Sequence, residues 1–276
     1  MKELSIMNIR EIVRAIQNTH DVDFSNYALT SFKYRLERLM MKFNIQTPET
    51  LVKKIQDESD FFDVFLFEIS VPSTEMFRDP SLWRWLREEY FVRVAEDNTG
   101  SFKIWLPCCV SGGELYSLAI LLREMELLDQ VQIIATSTSV TSIELMKKGQ
   151  YDLKKIELSE ENYKRFVGTK ELSTYYNIDR YYAYRDTSLI ERIEFKKVNI
   201  TFDHSPQNVK LILFRNSLIY YNPNLQEKIL QSLHSSLSVN GHLIVGIQEK
   251  INGTNSQHLF ELINEAESVY KKKLSS

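Results

Sequence analysis

The run Phe102-Lys103-Ile104-Trp105-Leu106-Pro107-Cys108, continued by Cys109-Val110-Ser111-Gly112-Gly113 and an amphipathic stretch over 114–127, decides the fold. A short apolar run, a polar glycine-containing turn and a helical stretch, in that order, open a strand–helix unit. The pattern then recurs. Residues 131–136 read as a second strand with a helix over 140–148, residues 209–214 as a third with a helix over 224–237, and residues 241–247 as a fourth. Such alternation predicts an α/β fold, a parallel sheet with helices on both faces. Right-handed crossovers then place the carboxyl ends of the strands, and the ligand crevice, on one edge of the sheet. Between Gln150 and Asn199 the alternation lapses, and the tyrosine-dense residues 174–185 read as a small antiparallel insertion.

Upstream, the first 70 residues carry helical patterns only. Met7, Ile9, Ile12, Val13 and Ile16 recur at helical spacing, and Phe32, Leu36, Leu39 and Met40 form the stripe of a second helix over 30–43. Thr47-Pro48-Glu49 is a cap followed by a first-turn proline, opening a third helix that turns Leu51, Val52 and Ile55 inward. Residues 59–70 read as a fourth helix, broken at Val71-Pro72, and residues 83–94 as a helix rich in aromatics and charge. The first 70 or so residues thus read as a small helical module, and from about residue 80 the texture changes to alternating apolar runs and helical stretches.

The 34 Lys+Arg against 37 Asp+Glu leave a net charge of −3, which argues against a general nucleic-acid binder. With 43% hydrophobic residues the chain can bury a substantial core. No apolar run approaches the roughly 18–20 residues that cross a bilayer, and Met1 to Asn8 carries no apolar signal stretch. Cys108 and Cys109 are adjacent, where a strain-free disulfide is hard to close; they read as packing residues of a reduced, cytoplasmic protein. Five scattered histidines offer no metal-ligand spacing.

Candidate chemistry gathers at three places. The turn Pro107–Glu114 lets a ligand approach backbone amides at a helix start, or is an ordinary strand-to-helix turn. Thr74 and Arg78 stand one helical turn apart, so Arg78 is a candidate for holding a carboxylate or for a salt bridge with Asp79. Arg215-Asn216, with Tyr220-Tyr221 beyond, follows the third strand, where open α/β sheets put their sites. Arg35, Arg38 and Lys42 lie near one helix face, as a docking surface for an acidic partner or as a solvated face.

Together these stretches resemble the CheR family, chemotaxis protein methyltransferases that use S-adenosylmethionine to esterify receptor glutamates. Ser31-Phe32-Lys33-Tyr34-Arg35-Leu36-Glu37-Arg38 is similar to the family's basic N-terminal helix, and residues 73–80 to its T-x-F-F-R-D-P run. Residues 110–117 match its S-T-G-E-E-P-Y-S turn, and residues 135–151 its A-T-D-I-N…A-R-x-G-x-Y pattern. The most specific is Leu211-Ile212-Leu213-Phe214-Arg215-Asn216-Ser217-Leu218-Ile219-Tyr220-Tyr221, close to L-I-F-C-R-N-V-L-I-Y-F, with Ser238–Leu243 standing at a P-G-G-x-L turn.

The resemblance implies a Rossmann-like methyltransferase domain over 91–276 with a small antiparallel insertion at about 152–190, preceded by a helical N-terminal domain over 1–70 and a linker over 71–90. It implies that Thr74 and Arg78 meet the methionine end of the cofactor and the reaction centre, and that Ser111, Gly112 and Glu114 line the turn beneath it. Ser137 stands at the ribose position, Asn199, Arg215 and Asn216 meet the adenosine and methionine portions, and Tyr220 lies near the transferred methyl. Arg78 and Tyr220 would then serve catalysis. The implied partner is a chemoreceptor-like protein substrate, with no nucleic acid and no membrane insertion; the oligomeric state is left open. The glycine-containing motif by which some members tether a receptor tail is not evident, so tethering is not carried over.

Four positions depart from the family pattern. Ser137 replaces the ribose-binding acid, removing charge-assisted bonds of about 1.5–3 kcal/mol apiece. Cys108 replaces the first glycine of the turn, Gly113 its first glutamate and Lys210 an aspartate, while Glu144 is a candidate substitute at the ribose. The expectation is an S-adenosylmethionine-dependent protein-glutamate O-methyltransferase. The alternative is a catalytically inactive methyltransferase-fold module acting as a signalling or docking partner.

Overall fold

The computed structural model describes residues 3–70, 74–96, 102–201 and 203–274. The expected break at Val71-Pro72, and Ser73 of the T-x-F-F-R-D-P run, lie outside the described residues. Four helices come first: α1 (Ile6–His20), α2 (Leu29–Lys42), α3 (Pro48–Asp57) and α4 (Ser59–Ile69). Ser5 and Asn8 form a capping box on α1, and Thr47 caps α3 through the Thr50 amide with Pro48 in the first turn. Their apolar stripes, including Ile12, Ile16, Leu36, Leu39, Leu51, Ile55 and Phe65, close on one core.

The basic residues of α2 are engaged at the end of α4, although Lys42 stays largely exposed. Arg35 is buried and donates to the Ile69 carbonyl at 2.6 Å, Arg38 donates to the Glu68 carbonyl at 3.0 Å, and Lys42 pairs with the Glu68 carboxylate at 2.5 Å. Two of these cations thus satisfy open carbonyls at the end of α4, the end that attracts positive charge, and the third pairs with the Glu68 side chain there.

The aromatic, charged stretch that follows is α5 (Pro80–Trp85), a π-helical turn over Leu86–Tyr90 and α6 (Phe91–Glu96). The expected single helix is therefore longer at both ends and contains one wide turn.

Then come β1 (Phe102–Leu106), α7 (Gly113–Glu124), β2 (Val131–Ser137), α8 (Val140–Lys147), β3 (Gln150–Tyr151), α9 (Ile156–Phe166), β4 (Tyr176–Ile178), β5 (Ala183–Arg185) and β6 (Glu194–Lys197). The chain finishes with β7 (Val209–Phe214), α10 (Pro223–Ser236), β8 (Leu237–Val245), β9 (Phe260–Asn264) and β10 (Val269–Lys272). A seven-stranded sheet has the order β6-β2-β1-β7-β8-β10-β9. The pairs from β6 to β8 are parallel, and β10 is antiparallel to both β8 and β9. Four strands were expected. The additional ones are β6 at one edge and β10 with the edge strand β9 at the other; Glu194, Lys196, Lys197, Glu261, Lys271 and Lys272 dilute their apolar signal, and charges on β6 and β9 protect the edges from pairing with other chains.

β1 and β7 are central, and Ile104, Trp105, Leu106 and Leu211 to Phe214 are buried as unbroken runs, as strands covered on both faces must be. On one face Leu115, Leu118 and Leu122 of α7 pack with Ile104 and Ile133; on the other Ile229, Leu230 and Leu233 of α10 pack with Trp105 and Ile212. The tyrosine-rich stretch forms the expected small antiparallel sheet, in the order β3-β5-β4.

The N-terminal helices lie directly on the sheet's carboxyl edge. The Asp63 carboxylate of α4 accepts from the amides of Val140 and Thr141 at 2.8 and 2.9 Å and from the hydroxyls of Thr141 and Ser139 at 2.8 and 2.9 Å. Burial raises the pKa of Asp63, but these four bonds outweigh it and hold the group at about 2. A second contact joins Tyr27 and Tyr221 in an isolated bridge, flanked by Ala28 N–H to the Tyr220 carbonyl at 2.8 Å and Asn222 N–H to the Asn26 carbonyl at 2.9 Å.

Candidate active site

The carboxyl ends of β1 and β7 are neighbours in the sheet, so the turn after β1 and the segment after β7 face each other across a crevice. The Cys109 amide donates to the Thr136 carbonyl at 2.7 Å and ties the turn to β2. The segment Thr74–Asp79 closes a third side. It is not helical: Phe77 and Asp79 take left-handed conformations, with φ of 53° and 57°, so Thr74 and Arg78 are not one helical turn apart as expected. The amide of Phe77 is held instead by the Ser117 hydroxyl at 2.7 Å, and that of Met76 by Tyr151 and Ser159, both at 3.1 Å.

Arg215 organises this crevice. Its side chain is 3% exposed and pairs with Asp79 at 2.5 Å and Glu114 at 2.7 Å. Burial pushes the Glu114 carboxyl up, and Arg215 opposes that shift without cancelling it. The expected alternative for Asp79, a bridge to Arg78, is therefore replaced by a bridge to Arg215. Arg78 itself sits at the rim, 41% exposed, with Nε 3.8 Å from Glu75. Thr74, Glu75, Arg78, Ser111, Gly112, Glu114, Arg215 and Asn216 line one cavity. Gly112, at φ 74°, ends the turn and starts α7. At Gly113 a Cβ would lie 2.3 Å from the Thr74 carbonyl oxygen, so the close approach of Thr74 requires glycine where the family carries glutamate.

Ser137, Asn199 and Tyr220 are not in that cavity. They line a second one, with Phe24 and Tyr27 from the loop between α1 and α2, Arg35, Leu66 and Ile69 from the N-terminal helices, and Tyr221. The sequence therefore names residues of two adjoining cavities, and Cys108 and Val110 line both. Cys108 is thus more than a packing residue. It holds φ of 58°, in the left-handed region where the family has glycine, and burial pushes its thiol up to about 12. Asn199 directs its amide oxygen to the Thr201 N–H and hydroxyl at 3.1 and 2.7 Å, which leaves its NH₂ for a ligand. The Tyr220 ring carries the Arg35 guanidinium 4.0 Å above its centroid. Glu144 does not substitute at the ribose position: it is exposed, 3.8 Å from Lys147, and lines neither cavity.

Two further residues build the crevice. Glu249 is buried and accepts from the amides of Asn216 at 2.7 Å, Gly246 at 2.8 Å and Ile219 at 3.3 Å, shaping the segment that carries Arg215 and Tyr220. Its place just past β8 is the strand-end signal that points to it. Asp79 lies inside the quoted Thr74–Pro80 run, but its partner is 136 residues away.

The charged cavity suits a zwitterionic amino-acid terminus: Arg215 Nε is buried in its wall without a hydrogen-bond partner. The second cavity suits a nucleoside, with aromatic walls, the Ser137 hydroxyl and the Asn199 amide; the Arg35 guanidinium also lines it, and no carboxylate is among its lining residues. The residues present therefore fit S-adenosylmethionine, with hydroxyl and amide contacts in place of an acid at the ribose.

A Rossmann-like sheet with a crevice divided in this way defines the class, an S-adenosylmethionine-dependent methyltransferase. The chain belongs to the CheR methyltransferase family, whose S-adenosylmethionine-binding domain matches residues 72–269. It is 30% identical to the Pseudomonas putida protein named Cher3 over 266 residues, 96% of this chain and 97% of that one. It is 25% identical to a chemotaxis protein methyltransferase of Listeria innocua over 238 residues, 86% of this chain and 88% of that one. It is 28% identical to chemotaxis protein methyltransferase 1 of Pseudomonas aeruginosa over 229 residues, 79% of this chain and 81% of that one.

Proposed function

We propose that this methyltransferase acts in chemotaxis, in the cytoplasm, and esterifies glutamate side chains on the cytoplasmic part of a chemoreceptor or related signalling protein. No helix among the described residues is long and apolar enough to cross a membrane. The observation that carries the reading is the division of labour between two arginines. Arg215 is committed to Asp79 and Glu114, whereas Arg78, at the rim, faces solvent beside the same cavity. A rim guanidinium is suited to receive an incoming carboxylate.

The cofactor supplies a methyl group on a sulfonium. A glutamate acceptor is already ionised at neutral pH, so the chain needs no general base and its task is placement. Thr74, Ser111, Gly112, Glu114, Arg215 and Asn216 hold the amino-acid end, and Ser137 and Asn199 the ribose and adenine side. Arg78 receives the acceptor carboxylate, while Tyr220, placed near the methyl by the resemblance, lines the nucleoside side beneath Arg35. Phe24, Tyr27, Leu66 and Ile69 keep water from the nucleoside side. In this reading residues 1–70 are the helical domain, 71–90 the linker and 91–276 the methyltransferase domain.

The test is incubation with tritiated S-adenosylmethionine and a purified chemoreceptor cytoplasmic domain. Base-labile label on receptor glutamates, lost in Arg78→Ala, is the expected result. A protein that binds S-adenosylhomocysteine tightly yet labels no receptor carboxylate would overturn the substrate assignment. Absence of cofactor binding would favour the inactive docking module.

A further inference from the structure

Arg185, the last residue of β5 in the antiparallel insertion, is 2% exposed and pairs with no carboxylate among the described residues. A buried charge of this kind is costly unless its donors are well used. Nε donates to the Gly149 carbonyl at 3.2 Å, and Nη2 to the carbonyls of Ser111 at 2.7 Å and Gln150 at 3.1 Å, while Nη1 is buried with no hydrogen-bond partner among the described residues. The guanidinium lies 4.0 Å from the centroid of the Tyr116 ring and 4.6 Å from that of Tyr151. Burial lowers its pKa to about 10, which leaves it charged at neutral pH.

These partners are two walls of the charged cavity. Ser111 belongs to the turn that starts α7, and its carbonyl is held directly. Tyr151, under the guanidinium, donates its hydroxyl to the Thr74 carbonyl at 3.2 Å and accepts from the Met76 amide at 3.1 Å. Thr74 in turn presses on Gly113. The backbone of the insertion is equally tight here, since a Cβ on Gly149 would lie 2.5 Å from the Arg185 carbonyl oxygen.

We infer that Arg185 is a positioning residue: from the insertion it sets the spacing between the Ser111 turn and the Thr74 segment, and so the fit of the cofactor's amino-acid end. The inference rests on the cofactor placement given above. It makes the antiparallel insertion part of the cofactor site, although no insertion residue lines the cavity.

Calorimetric titration of the full chain with S-adenosylhomocysteine and with 5′-methylthioadenosine tests it, because the second ligand keeps the nucleoside and lacks the amino-acid end. Lysine keeps the charge but cannot reach three carbonyls as the planar fork does. Arg185→Lys is expected to weaken S-adenosylhomocysteine about tenfold or more while leaving methylthioadenosine within about twofold. Equal losses for both ligands, or no loss, would overturn the inference. Should Arg185→Lys fail to fold, Tyr151→Phe carries the same test, since it removes only the hydroxyl that reaches Thr74. A selective loss supports the inference, and an equal loss or none overturns it. Wild-type protein that takes up neither ligand overturns the cofactor placement and the inference with it, an outcome visible before any variant is made.

Discussion

Cys108 is the residue at which this site differs most in kind from the family pattern. An L-residue in the left-handed region costs roughly 1–2 kcal/mol, a strain that glycine escapes. Cys108 holds φ of 58°, and it lines both cavities. Cys108→Gly is therefore expected to raise stability by about 1 kcal/mol in chemical denaturation and to tighten S-adenosylhomocysteine in calorimetry. Weaker binding would show that the thiol contacts the ligand rather than dividing its site. Arg215 predicts the opposite behaviour. Arg215→Met leaves Asp79 and Glu114 facing each other without their cation, and the expected loss is about 3–5 kcal/mol. A variant with wild-type denaturation would mean that the two carboxylates find other partners.

At the scale of elements, the contact between α4 and α8 carries a pH prediction. The pKa of Asp63 is lowered in the folded protein, so its contribution is present above the ordinary value of 3.8 and is lost as pH falls towards about 2. Asp63→Ala should cost about 0.5–2 kcal/mol at pH 7, as loss of a helix N-cap does. The gap between wild type and variant should close as pH falls towards about 2. A gap that persists unchanged at about pH 2 would assign the effect to packing rather than charge. Elements of this kind also mark what the sequence could and could not disclose. The helices other than α9, the strands β1, β2, β7 and β8, and the tyrosine-rich insertion were legible because periodicity and turn residues are local; α9 (Ile156–Phe166) was not, because it falls where the strand–helix alternation lapses. The π-helical turn at Leu86–Tyr90 and the charged edge strands were not, because nothing local distinguishes them from an ordinary helix or a loop. At the site, Arg215, Asn216 and Thr74 were legible as short runs at strand ends and loops. Asp63, Arg185 and Glu249 were not, because each is a single charge whose partners are backbone groups mostly far away in sequence.

At the scale of the molecule, the N-terminal helices and the loop between α1 and α2 wall the second cavity, with Arg35 on Tyr220 and Tyr27 beside Tyr221 at 5.1 Å between ring centroids. Two bodies joined in this way should unfold as one. Scanning calorimetry is expected to show a single transition, and S-adenosylhomocysteine at 100 times its Kd should stabilise it by about 2.7 kcal/mol. Two separate transitions, with only the later one moved by the ligand, would mean that the helices do not wall the cofactor site. The Arg215 pairs have a consequence in time as well as in space. The partners of Arg215 lie 101 and 136 residues back along the chain. Contacts so distant in sequence form only after the closure entropy of long loops has been met, and that makes them slow. Until β7 slots in beside β1, Asp79 and Glu114 are two like charges with no cation between them. The ability to bind cofactor should therefore arrive late in folding and all at once, so that a partly synthesised chain ending before Arg215 cannot sequester the cofactor.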